Sequence, residues 1–98
     1  MGLTIGVCRL TLRFPENGSL KGKRMVLNSV RQRLHNRFNV SFAEVEHNDT
    51  WQLAGVAIAV ASNSAAHANE VLSKAVNYLE SLRLDVELVD EEIELIDA

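Results

Sequence analysis

The stretch VSFAEVEHNDTWQLAGVAIAVA, residues 40–61, decides the fold. Val40 to His47 and Trp51 to Ala61 each alternate with the period of a half-buried strand. Between them Asn48-Asp49-Thr50 has the composition of a hairpin turn. Pairing His47 near Trp51 puts Val40, Phe42, Val56, Ile58 and Val60 on one face. Ser41, Ala43, Val45, Leu53, Gly55, Ala57 and Ala59 then share the other. By the same alternation Glu44 and Glu46 point to one side and His47 to the opposite one.

Working outward, both flanks of this hairpin switch to helical spacing. Upstream, Leu20, Leu27, Val30, Leu34 and Phe38 recur behind Ser19, a plausible N-cap, and predict a helix from about Leu20 to Arg37. Gly22 in its first turn costs about 1 kcal/mol against alanine. Downstream, Ser62-Asn63-Ser64 caps a second helix whose buried stripe is Ala68, Val71, Leu72, Ala75, Val76, Leu79 and Leu82. At the start of the chain Cys8, Leu10, Leu12 and Phe14 alternate with Arg9, Thr11 and Arg13, a strand that Pro15-Glu16-Asn17-Gly18 ends. A last strand begins near Leu84. Its parity changes between Val86/Leu88 and Ile93/Leu95, which predicts a bulge or break around Asp90 to Glu92.

The order is β-α-β-β-α-β. Right-handed helical crossovers place both helices on one face of a four-stranded antiparallel sheet of order 4-1-3-2. The expected fold is therefore α+β, a ferredoxin-like sandwich, with residues 1–98 as one domain. At 98 residues there is room for a single core, and 47% apolar against 23% charged residues is an ordinary globular balance. The one cysteine, Cys8, leaves no partner for an internal disulfide, alternates with the core face and fits a reducing compartment. No apolar run approaches the roughly 18 residues of a membrane span, and no leader is evident, so the expectation is cytoplasmic.

Charge is distributed unevenly. Residues 1–40 carry eight basic side chains (Arg9, Arg13, Lys21, Lys23, Arg24, Arg31, Arg33, Arg37) against Glu16, a balance of +7. Residues 41–98 carry Lys74 and Arg83 against twelve acids, a balance of −10. Such asymmetry signals either a polyanion-binding surface or halves that neutralise each other in the fold. Arg9 and Arg13 have partners in prospect, since strand four lies beside strand one and brings Glu87 and Glu94 across the ladder. The first helix has none so obvious. Lys21, Arg24, Asn28, Arg31 and His35 lie along one face, flanked by Lys23, Arg33 and Arg37. Lys21, Lys23, Arg24, Arg31 and Arg37 are the candidate RNA-binding residues, suited to phosphates of structured RNA rather than to base readout. The alternative is a solvated basic helix.

The sheet face left open by the helices offers Arg9, Thr11, Leu53, Gly55, Ala57 and Ala59 on its central strands. It has no aromatic platform for stacking bases. Val45, Leu53, Gly55, Ala57 and Ala59 are instead candidate interface residues for another protein surface, such as a second copy in a homo-oligomer.

Catalytic signals are thin. His35, His47 and His67 fall on three elements without metal-ligand spacing, and no phosphate loop, nucleophile triad or zinc motif is present. Glu44, Glu46, His47 and Asp49 read as a surface cluster at a hairpin end. No catalytic residue, metal or cofactor is expected.

Ser19-Leu20-Lys21-Gly22-Lys23-Arg24, Phe38-Asn39-Val40-Ser41-Phe42-Ala43-Glu44-Val45 and Trp51-Gln52, with the opening Ile5-Gly6-Val7, resemble the YlxP-like family of small bacterial proteins. The resemblance spans nearly the whole chain. It implies a ferredoxin-like fold and a gene neighbourhood among translation-initiation and ribosome-maturation factors. It supplies no catalytic residues. The function expected from residues and resemblance together is a non-enzymatic accessory protein of ribosome maturation or translation.

Overall fold

The structure, a computed structural model, describes residues 2–82 and 86–98. Four strands and two helices follow in the order β1 (Thr4–Arg13), α1 (Leu20–Arg37), β2 (Ser41–Glu46), β3 (Leu53–Ser62), α2 (Ala65–Ser81) and β4 (Glu87–Asp97). The sheet is antiparallel throughout with spatial order β2-β3-β1-β4. This is the ferredoxin-like arrangement, with the long central strands β1 and β3 paired from Thr4↔Ser62 to Arg13↔Leu53.

The sheet's inner face is built by alternation. Cys8, Leu10, Leu12 and Phe14 of β1 and its exit meet Ala54, Val56, Ile58 and Val60 of β3, with Phe42 of β2. Leu27, Val30 and Leu34 of α1 and Ala68, Leu72, Ala75 and Val76 of α2 close over them. Gly6 lets α2 come close. A Cβ there would stand 2.9 Å from Leu72 Cδ1 and 3.2 Å from Val60 Cγ1. Both N-caps form as their serines predict: Ser19 Oγ accepts from Gly22 N–H at 3.0 Å and Ser64 Oγ from His67 N–H at 3.2 Å.

The bulge expected in β4 is present, slightly earlier than expected. Thr11 pairs with Asp90 and Leu12 with Leu88, so Val89 is the extra residue. It switches the parity and brings both Leu88 and Ile93 toward the core. The strand start expected near Leu84 lies outside the described residues, and the ladder runs from Glu87.

Two expectations for the hairpin are corrected. β3 begins at Leu53, not Trp51, and the connection is longer than a three-residue turn. His47 takes a left-handed backbone (φ 61°), and Thr50 N–H closes a turn onto His47 O at 3.0 Å. The second correction concerns Glu44 and Glu46, which do not share a face. Glu44 pairs with Val56 and Glu46 with Gly55, so Val45 is a bulge. Glu44 turns inward and Glu46 outward.

Candidate nucleic-acid interface

The start of α1 is fastened to the β2–β3 hairpin. Asn17 donates from Nδ2 to Ser19 O (2.7 Å) and Trp51 O (2.6 Å), and Phe14 N–H donates to Gln52 O (2.8 Å). Asn17 Oδ1 lies where a side chain at residue 22 would begin, so Gly22 is the residue that fits. This is the physical reason for a glycine in a first helical turn.

Lys23 is the centre of the attachment, and it corrects one expected RNA contact. It shares the helical phase of Leu27, Val30 and Leu34 and is fully buried. Its Nζ donates to His47 O (2.8 Å), Thr50 O (2.7 Å) and Leu53 O (3.1 Å), with Asn48 O at 3.5 Å. Glu44 Oε2 lies 2.7 Å from the same nitrogen. The ammonium has three hydrogens, the carbonyls claim them, and Glu44 Oε2 is an ion-pair partner that accepts no hydrogen bond. An ammonium so enclosed is not available to phosphate.

The other cations of α1 face solvent. Lys21, Arg24, Arg33 and Arg37 are exposed, and Arg31 is half-buried. Among the described residues none of these five has a carboxylate partner. Two of the arginines are held by aromatic rings. The Arg31 guanidinium lies 5.5 Å from the Phe42 ring centroid, and that of Arg37 lies 4.5 Å from Tyr78. Arg31 Nη1 also donates to Asn28 Oδ1 at 3.4 Å. The first turn has no acidic residue, so Lys21 and Arg24 add to the positive end of the helix dipole instead of offsetting it.

On β1 the cations are neutralised across the ladder as their register predicts. Arg13 makes two bonds to Glu87 Oε2, at 2.6 and 3.0 Å, and Arg9 reaches Glu94 at 3.2 Å with Glu92 at 3.9 Å. The Arg13 pair lies at the Leu53 end of the open sheet face, whereas Arg9, in register with Ala57, and Glu94, in register with Val7, put a charged pair in its middle. Gly55 itself is buried beneath Glu46, whose Cβ would stand 2.7 Å from a Cβ on residue 55. It is therefore removed from the candidate protein interface. Ala57 and Ala59 are half-buried and Val45 is 50% exposed. Toward the opposite end Ile5 and Val7 sit in register with Ala61 and Ala59 and Ile96 lies beside Ile5, an apolar stretch bordered by Glu94 beside Val7.

The acidic hairpin residues are divided by the Val45 bulge, with Glu44 turned inward and Glu46 outward. A small cleft of about 120 Å³ is lined by Glu46 with Arg9, Asp90 and Glu92, but by neither Glu44 nor His47. Burial, with Glu91 nearby, pushes the Cys8 thiol up to about 11, so it is a poor nucleophile. Among the described residues no three His, Cys, Asp or Glu side chains gather as a metal site, and no helix is long and apolar enough to cross a membrane.

A family model described as a protein of unknown function (DUF503) matches residues 5–93. The uncharacterized protein YlxP of Bacillus subtilis (strain 168) is 39% identical over 64 residues, 65% of this chain and 70% of that one.

Proposed function

This chain thus belongs to the DUF503 family, and from that premise we propose that it is a non-enzymatic accessory protein of ribosome maturation or translation that docks on structured RNA through α1. One observation carries the reading: Lys21, Arg24, Arg31, Arg33 and Arg37 remain without carboxylate partners among the described residues, although acids outnumber bases in the chain. The gene neighbourhood that the resemblance to the YlxP-like family implies supports the choice of ribosomal RNA, and cytoplasmic residence is part of the same proposal. Neutralising four or five phosphates should make affinity fall about 10²–10³-fold between 50 and 200 mM salt. Anisotropy titration of labelled ribosomal RNA fragments measures this. The Lys21→Ala/Arg24→Ala/Arg31→Ala variant should flatten the logarithmic salt slope by about two to three. Equal binding by that variant and the wild type at low salt overturns the proposal.

A second reading rests on the apolar end of the open sheet face. Ile5, Val7, Ala57, Ala59 and Ile96 form a surface on which a second copy would pack. A monomer in light scattering at high protein concentration refutes it.

A further inference from the structure

An open groove of about 460 Å³ lies where the end of α1 meets α2, lined by Arg37, Phe38, Lys74, Asn77, Tyr78 and Ser81. Its volume falls in the range of small-ligand sites. The groove brings together two kinds of side chain that the sequence keeps far apart. Lys74 is the only base of residues 41–98 among the described residues, and it lines the same groove as Arg37 of α1. Phe38 and Tyr78 form the aromatic part, their ring centroids 5.9 Å apart and their planes tilted by 60°.

The Arg37 guanidinium lies over the Tyr78 ring at 4.5 Å while its side chain is otherwise exposed. That contact restrains the planar guanidinium over the ring, reducing the side-chain freedom that binding would have to remove. Ser81 Oγ donates to Tyr78 O at 2.6 Å and occupies that carbonyl. Among the described residues Lys74 is held only by Glu70, at 3.0 Å in an exposed pair one turn away, an interaction that a phosphate can replace at little cost.

Resting on the RNA reading above, we infer that this groove is the seat of one unpaired nucleotide, its base stacked on the Arg37–Tyr78 plate and its phosphate on Lys74. The end of a helix carries partial negative charge, so the site suits a base on the arginine plate better than a phosphate placed directly against α1. Arginine planes and aromatic rings are what proteins use to hold splayed-out bases, and Asn77 adds an amide at the rim. The aromatic support absent from the open sheet face is thus present on the helical side.

The test compares two labelled RNA hairpins, one fully paired and one with a single unpaired adenosine. Wild type should favour the bulged hairpin by about 5–100-fold, the range of one base stacked on a side chain. Arg37→Lys keeps the charge and loses the plate, and Tyr78→Leu loses the support. Both should bind the two hairpins alike, while Tyr78→Phe keeps the preference. Arg37 is a surface residue, so its variant remains informative should Tyr78→Leu fail to fold. Equal wild-type binding to the two hairpins, or a preference surviving both Arg37→Lys and Tyr78→Leu, overturns the groove and leaves the α1 reading standing. Binding of neither hairpin overturns both.

Discussion

Replacing Lys23 by methionine removes a buried ammonium while keeping much of its volume. The side chain is fully buried and its nitrogen serves carbonyls of residues 47, 50 and 53 at 2.7 to 3.1 Å. Glu44, with a side chain 17% exposed, would keep its charge and lose its partner. Breaking one half of a buried pair costs about 3–5 kcal/mol. A domain of this size has about 5–15 kcal/mol in total, so the loss is a large fraction. At about 4–8 °C per kcal/mol, the melting temperature should fall by about 12–40 °C. Thermal denaturation followed by circular dichroism measures it. Glu44→Gln should cost less, about 1–3 kcal/mol, because the carbonyls retain their donor. Below its melting range Lys23→Met should bind RNA with the wild-type salt slope, since the ammonium touches no solvent. A variant that melts within about 3 °C of wild type, or that weakens RNA binding as much as Arg24→Ala, refutes the clamp.

Gly22→Ala should destabilise by about 1 kcal/mol or more, although alanine is the better helix former, because its Cβ collides with Asn17 Oδ1. A higher melting temperature counts against that packing. Cys8 stays protonated to about pH 11 in the fold and ionises near 9 when unfolded, so the unfolded chain holds fewer protons between those values. Stability is thus full below pH 9 and should drop by on the order of 2–3 kcal/mol as pH rises toward 11, read by denaturant titration. Cys8→Ala should remove that pH dependence, and an unchanged slope contradicts it. Ala57→Arg should convert any dimer joined through the open sheet face to a folded monomer in light scattering. A dimer that persists places the contact elsewhere.

The elements were legible because each has one dominant period, and both helix starts because their serines cap as serines do. The β4 bulge was legible from its parity change. The bulge at Val45 was not, because Glu44, Val45 and Glu46 carry no marker of a skipped position. Its signal was Gly55, the cross-strand residue over which Glu46 sits. Lys23 was misread for a different reason. Its spacing of four, three and four to Leu27, Val30 and Leu34 put it in the buried stripe, but charge outweighed phase in the reading. The inward glutamate that makes its burial tolerable came from the bulge, which the alternation hid. The Arg37–Tyr78 plate joins residues 41 positions apart on two helices and has no local signature.

The charge polarity of the sequence resolves the same way. Of the eight cations in residues 1–40, Arg9 and Arg13 pair with β4 and Lys23 with Glu44, leaving five, all on α1, without a carboxylate partner among the described residues. Among the described residues the acids of β4 without a basic partner are Asp90, Glu91 and Asp97, at the edge of the sheet opposite β2, while Glu46 and Asp49 are likewise unpaired on the β2–β3 hairpin beside the start of α1. α1 lies toward β2, as the contacts of Arg31 with Phe42 and Lys23 with Glu44 require. Three inter-strand spacings separate the two edges, about 14 Å. The Debye length at physiological ionic strength is about 8 Å. Across that distance the acidic edge does little to cancel the α1 cations, and a net charge of −3 does not describe the potential a partner meets there. On the proposed RNA reading, the β4 edge would repel and the cations of α1 would attract, so the polarity would orient the encounter as well as supply affinity.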